Sequence, residues 1–368
     1  MKSINLDYGL RCADEPAKNH NRWHHAIAPA LEAEPGEEVE LETRDALDGQ
    51  VTAASKAEDL LRLDMNVVHP LTGPVYVKGA QPGDLLEVEI VEVRPAAFGF
   101  TVQIPGFGFL RDEFPDPYVV KWKIAEGWAT SDDLPGVRIP DGSFMGTIGV
   151  APSEELRRAM LRREEALRER GGFVLPPERT GAVPAREPIA SQGLRTIPPR
   201  ENGGNLDIKQ LSAGARLFLP VFVPGALFSV GDAHFAQGDG EACGTAIEMR
   251  AAIMVKFALR RGEAARRGIR FPRFERDSYF GPPELAAPRR FVATTGMCVR
   301  DGVNESENAT LAAHAALMNM VGLLMERGWT RQQAYAICSV AADLRLSEVV
   351  DVPNFVVSAL LPLDIFEK

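Results

Sequence analysis

The stretch "GPVYVKGAQPGDLLEVEIVEV", residues 73–93, constrains the fold more than any other part of the chain. A Pro-Gly turn at 82–83 is followed by Leu86, Val88 and Ile90 on one face, with acids between them. Period-2 patterning bounded by turn residues is the signature of half-buried strands. "LEAEPGEEVELETRD" (31–45) repeats the scheme with Val39, Leu41 and Thr43, and "LPVFVPGALFSVGDAHF" (219–235) is a third version. Pro74-Val-Tyr-Val-Lys-Gly-Ala and Pro220-Val-Phe-Val-Pro-Gly-Ala match, and each run soon reaches a Gly-Asp. Two related β-halves and convergent turn chemistry both account for this echo.

Later segments change period. "SEELRRAMLRREEALRERG" (153–171) predicts a helix capped by Ser153, almost entirely charged and hence an exposed excursion. The Pro- and Gly-rich run at 173–204 predicts a long irregular connection. "SENATLAAHAALMNMVGLLMERG" (306–328) carries Leu311, Ala315, Met318 and Leu324 at helical spacing before Gly328. "TRQQAYAICSVAADLRLSEVVD" (330–351) reads as a second helix capped by Thr330, and "VPNFVVSALLPLDIF" as a closing strand. The expectation is an α+β, mainly β architecture with late helices. It divides into a β-rich part at 1–180 and a β-rich catalytic part with the helices at 181–368, or forms one continuous compact domain.

A net charge of −10 over 368 residues argues against a general nucleic-acid binder. No apolar run approaches the roughly 20 residues of a membrane span, and no secretory h-region is visible at the start. Cys12, Cys243, Cys298 and Cys338 form no CxxC pair, so reduced thiols in the cytoplasm are the simplest expectation.

The chemistry concentrates in "FSVGDAHFAQGDGEACG" (228–244). On a strand, Asp232 and His234 project from one face, and carboxylate with imidazole is a donor pair that suits zinc or a similar cation. The glycines at 238, 240 and 244 then force a loop that returns Asp239 and Glu241 toward the same place. His69, among apolar residues in "NVVHPLTGPVYV", is either a satisfied structural histidine or a ligand. Asn202, Asn205 and Asp207 in "PPRENGGNLDIKQL" either hold an Asx turn or face a site. Cys243 has acidic or small sequence neighbours, so a buried structural thiol is preferred over a nucleophile. His24 and His25 read as surface or edge residues and His314 as structural. Asp45 and Asp48 sit at a turn within reach of a pocket, and Asp343 with Arg345 reads as an ion pair closing a helix. The phenylalanines of 96–110 either pack in the core or wall a small apolar pocket.

Taken together, "HPLTGPVYVKGAQPGDLLEVEI", "GTIGVAP", "PPRENGGNLDIKQL", "LPVFVPGALFSVGDAHFAQGDGEACGTAIE" and "AYAICSVAADLRLSEVVDVPN" resemble the acetamidase/formamidase proteins, in order and over nearly the whole chain. The match is weakest at the N-terminus and in 153–171. The resemblance implies a jelly-roll-like β-sandwich with added helices and a cytoplasmic, homo-oligomeric hydrolase of small carboxamides. It implies a bound divalent metal ion, zinc by preference, and neither nucleic acid nor membrane as partner. Carried onto this chain, it draws attention to His69, Asn205, Asp207, Asp232, His234, Asp239 and Glu241. We expect His69, Asp207, Asp232 and His234 as metal ligands, Glu241 as general base with Asp239 as runner-up, and Asn205 beside the oxyanion. The alternatives are a non-catalytic metal- or ligand-binding sandwich and an amidase with Cys243 as nucleophile.

Overall fold

The computed structural model describes residues 1–279, 281 and 290–367. It is mainly β with a few helices, and the alternation read in the sequence is the alternation of burial. Val39, Leu41, Leu86, Val88 and Ile90 are fully buried, while the acids between them face outward or are half-buried. The strand Leu85–Gln103 runs antiparallel to Glu248–Arg260, with Val88 opposite Phe257 and Val93 opposite Ile253. On its other side, Glu248–Arg260 pairs with Glu38–Thr43. Strands from both ends of the chain thus interleave in one hydrogen-bonded sheet. The two echoing runs lie side by side: Val77 N donates to Gly225 O, and Gly225 N to Ala80 O, both at 2.9 Å.

Four neighbouring strands of this sheet matter most. In spatial order they are Gly203–Asn205, Phe144–Gly149, Phe228–His234 and Glu248–Arg260. Their antiparallel register sets Thr147 opposite both Asn205 and Gly231, and His234 opposite Phe144 and Glu248. Directly opposed residues in a sheet bring their side chains within contact distance. Register therefore sets Asn205, Thr147 and Gly231 in one row and Phe144, His234 and Glu248 in a second row of the same strands.

The helices hold two corrections. Thr330 caps its helix with a reciprocal Gln333 box, but the helix ends at Ala341. Ala342 is extended, and Asp343–Glu348 becomes a strand paired with Val356–Pro362, so the predicted second helix over 330–351 is half strand. "DLRLSE" alternates with period 2, which is the signal that decides it. The helix Glu154–Glu169 has the expected Ser153 cap, yet it is docked and not merely an exposed excursion. Met160 is fully buried against Trp23, Leu71 and Leu194, and Arg200 pairs with Glu164 at 2.6 Å. The irregular run at 173–204 contains the short helix Ile189–Gln192 and a strand pair between Leu194–Arg195 and Arg22–Trp23.

The helix Ala309–Glu326 is long and apolar enough, by length and composition, to cross a membrane, contrary to the reading that no run approaches that length. Its apolar side chains have another use. Ala312, Ala316, Leu317, Met320, Val321 and Leu324 are buried in the main core, against the Phe291–Met297 strand and the Arg331–Ala341 helix.

Docking of the charged helix is testable. Met160→Ala should cost about 2–5 kcal/mol of stability in urea unfolding, whereas Leu167→Ala, on the exposed face, should fall within about 0.5 kcal/mol of the parent. Equal effects would mean that the helix is not packed as described.

Candidate active site

The groups placed by these two rows are joined by three loops. His69 enters just before the Leu71–Val77 strand, Asp207 follows the Gly203–Asn205 strand, and Glu241 lies on the loop between His234 and Glu248. His234 Nε2 stands 3.4 Å from Asp232 Oδ1 and 3.2 Å from Glu248 Oε2. His234 Nδ1 is 4.0 Å from Asp207 Oδ1, and His69 Nδ1 is 3.9 Å from Asp232 Oδ2. The Thr147 hydroxyl sits 2.7 Å from Asn205 Oδ1, 3.1 Å from Asp232 Oδ2 and 3.4 Å from His69 Nδ1, tying three of these groups to one point. The main-chain N–H of His69 donates to the Thr196 hydroxyl at 2.6 Å.

Gln237 fixes the histidine. Its amide nitrogen donates to the Asp207 carbonyl at 2.8 Å, so its oxygen is what faces His234 Nδ1, at 2.9 Å. A neutral His234 then carries its proton on Nδ1 and turns the Nε2 lone pair toward Asp232 and Glu248. That is the arrangement in which a ligating histidine is oriented by its other ring nitrogen. His234 Nε2, Glu248 Oε2 and Asp207 Oδ1 are all buried without a hydrogen-bond partner. Asp232, His234 and Glu248 place one donor atom each within 4.8 Å of the others, as do Asp207, His234 and Glu241.

The electrostatics point the same way. Burial, with Asp232 adding and His234 opposing, pushes Asp207 and Glu248 up to about 7. Glu241 is raised well above the usual range by burial and then by Asp207. For Asp232, burial is outweighed by the His69 and His234 imidazoles, which hold it below its ordinary value. His234 is raised despite burial, through Glu248 and Asp232. Four acids around two imidazoles lack positive charge, which a cation would supply.

The backbone is also shaped here. Asp207, Asp232 and Glu241 have φ of 50°, 59° and 41°, the left-handed region that costs a residue with a Cβ about 1–3 kcal/mol. Gly146 leaves the donors room: a Cβ on it would lie 2.6 Å from Asp207 Oδ1, 2.7 Å from Asp232 Oδ2 and 2.8 Å from His234 Cε1.

Of the seven residues expected from sequence, six meet here: His69, Asn205, Asp207, Asp232, His234 and Glu241. Asp239 turns away, toward Lys209 and a surface groove shared with Gln210 and Arg345. Asp343 makes the expected ion pair with Arg345, at 3.9 Å, and also holds the two site loops together. Its Oδ1 accepts from Lys209 Nζ and from Asp239 N, joining the segment after Asp207 to the one before Glu241. Glu248, Gln237, Thr147 and Gly146 were missed. A lone acid in the apolar run "TAIEMRAAI", and a glutamine one turn after His234, were the available signals.

Other candidates are structural. His24 is buried and not at the surface as expected; with His25 and Glu154 it forms a third group with metal-donor spacing. In that group Glu154 holds Arg157 and Arg158 and His24 Nδ1 accepts from Ala26 N, while His24 Nε2 and His25 Nδ1 are without a hydrogen-bond partner. Asp45 and Asp48 accept backbone N–H groups from Leu47, Gly49 and Cys12. Cys243 is buried against the Val102 and Thr245 carbonyls, and burial pushes its thiol up to about 11.

Comparison with known proteins places the chain in a family. Residues 5–368 match the Acetamidase/Formamidase family. The chain belongs to that family. It is 35% identical over 363 residues to an acetamidase of Mycolicibacterium smegmatis, covering 91% of this chain and 88% of the relative. It is 33% identical to a formamidase of Methylophilus methylotrophus, covering 100% and 94%. Among solved structures it resembles a gamma lactamase from Delftia acidovorans, with a TM-score of 0.94, 35% identity and coverage of 100% and 94%. An acetamidase from Bacillus halodurans aligns with a TM-score of 0.57 at 26% identity, covering 94% and 96%.

Two outcomes follow from the family member's crowded acids. Without a cation, Asp207 and Glu248 keep protons up to about pH 7 in the folded chain but only to the ordinary carboxylate range when unfolded. The folded state then binds more protons, so stability should fall as pH rises from about 4 to about 7. Cation affinity should climb over the same window and level off above it, as titration calorimetry would register; a flat profile would contradict the burial of these acids. Gly146→Ala should strip the protein of bound cation in elemental analysis, since its methyl group enters the donor set. Retention of a full equivalent would show that the clash is absorbed.

Proposed function

We propose that the chain hydrolyses a small linear carboxamide to a carboxylate and ammonia, with a divalent cation, zinc by donor preference, held at His234. The observation that carries the metal reading is the orphaned Nε2 of His234, aimed between two carboxylates by Gln237. Family membership supports the choice of an amide. Asp232, His234 and Glu248 would hold the ion, with Asp207 and His69 flanking it. A bound cation supplies Lewis acidity for the amide carbonyl and lowers the pKa of water.

The chain's own groups do the rest. Asn205 Oδ1 accepts from Thr147, which leaves the Asn205 NH₂ to donate to the carbonyl oxygen as negative charge builds there. Glu241 lines the cavity, and burial raises its proton affinity, which makes it a stronger base than an exposed carboxylate. It takes a proton from water as the new C–O bond forms, then passes it to nitrogen as the C–N bond breaks. Ammonia leaves, the carboxylic acid that remains gives up the second water proton to ammonia or solvent, and the resulting carboxylate sits among acids that repel it. Asp239, the runner-up base, takes no part in this scheme because it faces Lys209. Cys243 supplies no nucleophile, since its thiol stays protonated in the core.

The likeness to the Delftia gamma lactamase favours a second reading, the opening of a cyclic amide. Ring opening frees no ammonia, so product analysis separates the two. The cellular reading that goes with the proposal is a cytoplasmic homo-oligomer. Four unpaired cysteines support the first part, and the exposed Phe291, Met297 and Leu346 on the Phe291–Met297 and Asp343–Glu348 strands support self-association.

Glu241→Gln is the test of the mechanism. It should lower kcat for ammonia release by about 10²–10⁴-fold with cation content unchanged. Turnover at the parent rate would remove Glu241 from the role.

A further inference from the structure

A second pocket, polar-walled and about 130 Å³ in volume, is lined by Arg11, Arg44 and Arg250. On two segments it is the neighbour of the catalytic cavity: Asp45 faces it where Ala46 faces the cavity, and Arg250 where Glu248 does. Arg44 is buried and spends its terminal nitrogens on Leu10 O, Asp7 O and Glu15, while its Nε has no hydrogen-bond partner. Among the described residues Arg250 makes no hydrogen bond. It lies over the Tyr8 ring at 4.9 Å, with Nε 3.6 Å from Asp45 Oδ2. Arg11 donates through Nη1 to the Asp48 carbonyl. Arg11 and Arg250 converge on Gly49, where a Cβ would meet Arg11 Nη1 at 3.1 Å and Arg250 Nη2 at 3.4 Å. The two carboxylates of the pocket serve the main chain: Asp45 Oδ1 accepts from Leu47 N and Gly49 N, and Asp48 from Cys12 N.

We propose that Arg11, Arg44 and Arg250 form a binding site for a small monocarboxylate, separate from the catalytic cavity. Two guanidiniums that approach over one glycine repel each other, and an anion held between them removes that cost. The planar fork of arginine matches the two oxygens of a carboxylate. Donors for it remain on Arg11 and Arg250, and the unpartnered Nε of Arg44 is a further one in the wall. A doubly charged sulfate meets Asp45 and Asp48 with twice the charge, so it gains less than a carboxylate does. The acid released from an amide belongs to the favoured class, but the site stands on its own geometry and not on the hydrolysis reading.

The test is acetate binding to the cation-loaded protein by titration calorimetry at fixed ionic strength, in the parent, Arg250→Gln and Arg11→Gln. The parent should bind acetate at the arginine site, and each variant should weaken that step about tenfold or more through loss of a charge-assisted hydrogen bond. Both variants should unfold in urea as cooperatively as the parent. Acetate bound at the catalytic cation is told apart because it survives both substitutions. In the parent, formate should bind as acetate does, with sulfate and chloride about tenfold weaker, since neither is a singly charged two-oxygen fork. No acetate bound by the parent, or acetate binding that both variants keep in full, would overturn the site. Sulfate or chloride held as tightly as acetate would overturn its assignment to monocarboxylates. None of these outcomes touches ammonia release, so the hydrolysis reading is judged separately.

Discussion

The structure turns on the mutual repulsion of Asp207, Asp232, Glu241 and Glu248, brought together where little water reaches. Like charges about 4 Å apart cost roughly 4 kcal/mol per pair at an effective dielectric near 20. A sequence that places four such groups around His69 and His234 must either keep several protonated or supply positive charge. The raised proton affinities of Asp207, Glu241 and Glu248 express the first solution. The unpartnered atoms of Asp207, His234 and Glu248 leave room for the second. Proton and cation compete for one place.

What holds the acids against that repulsion is the sheet. The register that puts Glu248 opposite His234 belongs to a ladder that continues through Glu248–Arg260, where Ile253, Val255 and Phe257 are fully buried. Slipping it by one residue would turn the apolar set of that strand outward. Core burial therefore sets the spacing of the site. The loops contribute the strained parts, since Asp207 and Glu241 sit beyond strand ends in left-handed conformations, and Asp343 clamps both loops from the C-terminal unit.

Much of this was legible before any coordinates. The alternation around Leu86 and Val39, the Ser153 and Thr330 caps, and the convergence of His69, Asp207, Asp232, His234 and Glu241 all follow from local pattern, turn chemistry or family likeness. The failures have physical causes. Asp343–Glu348 took strand form because a partner strand rewards its alternation, which outweighs continuation of the preceding helix. Asp239 looked like a site residue by spacing, but the turn closed by Glu241 N on Gly238 O, with Gly240 and Glu241 at positive φ, breaks the two-residue repeat and parts Asp239 from Glu241. Glu248 was invisible because its role comes from a cross-strand neighbour fourteen positions earlier in the chain, at His234. His24 was misplaced because burial by the docked Glu154–Glu169 helix is a tertiary effect that a polar local sequence does not announce.

The most direct measurement is a crystal structure of the zinc-soaked protein with anomalous data collected at the zinc edge. The account expects one strong peak within coordination distance of His234 Nε2, Asp232 and Glu248, with Gln237 still bonded to His234 Nδ1. A peak at His24, His25 and Glu154, or none near His234, would contradict it.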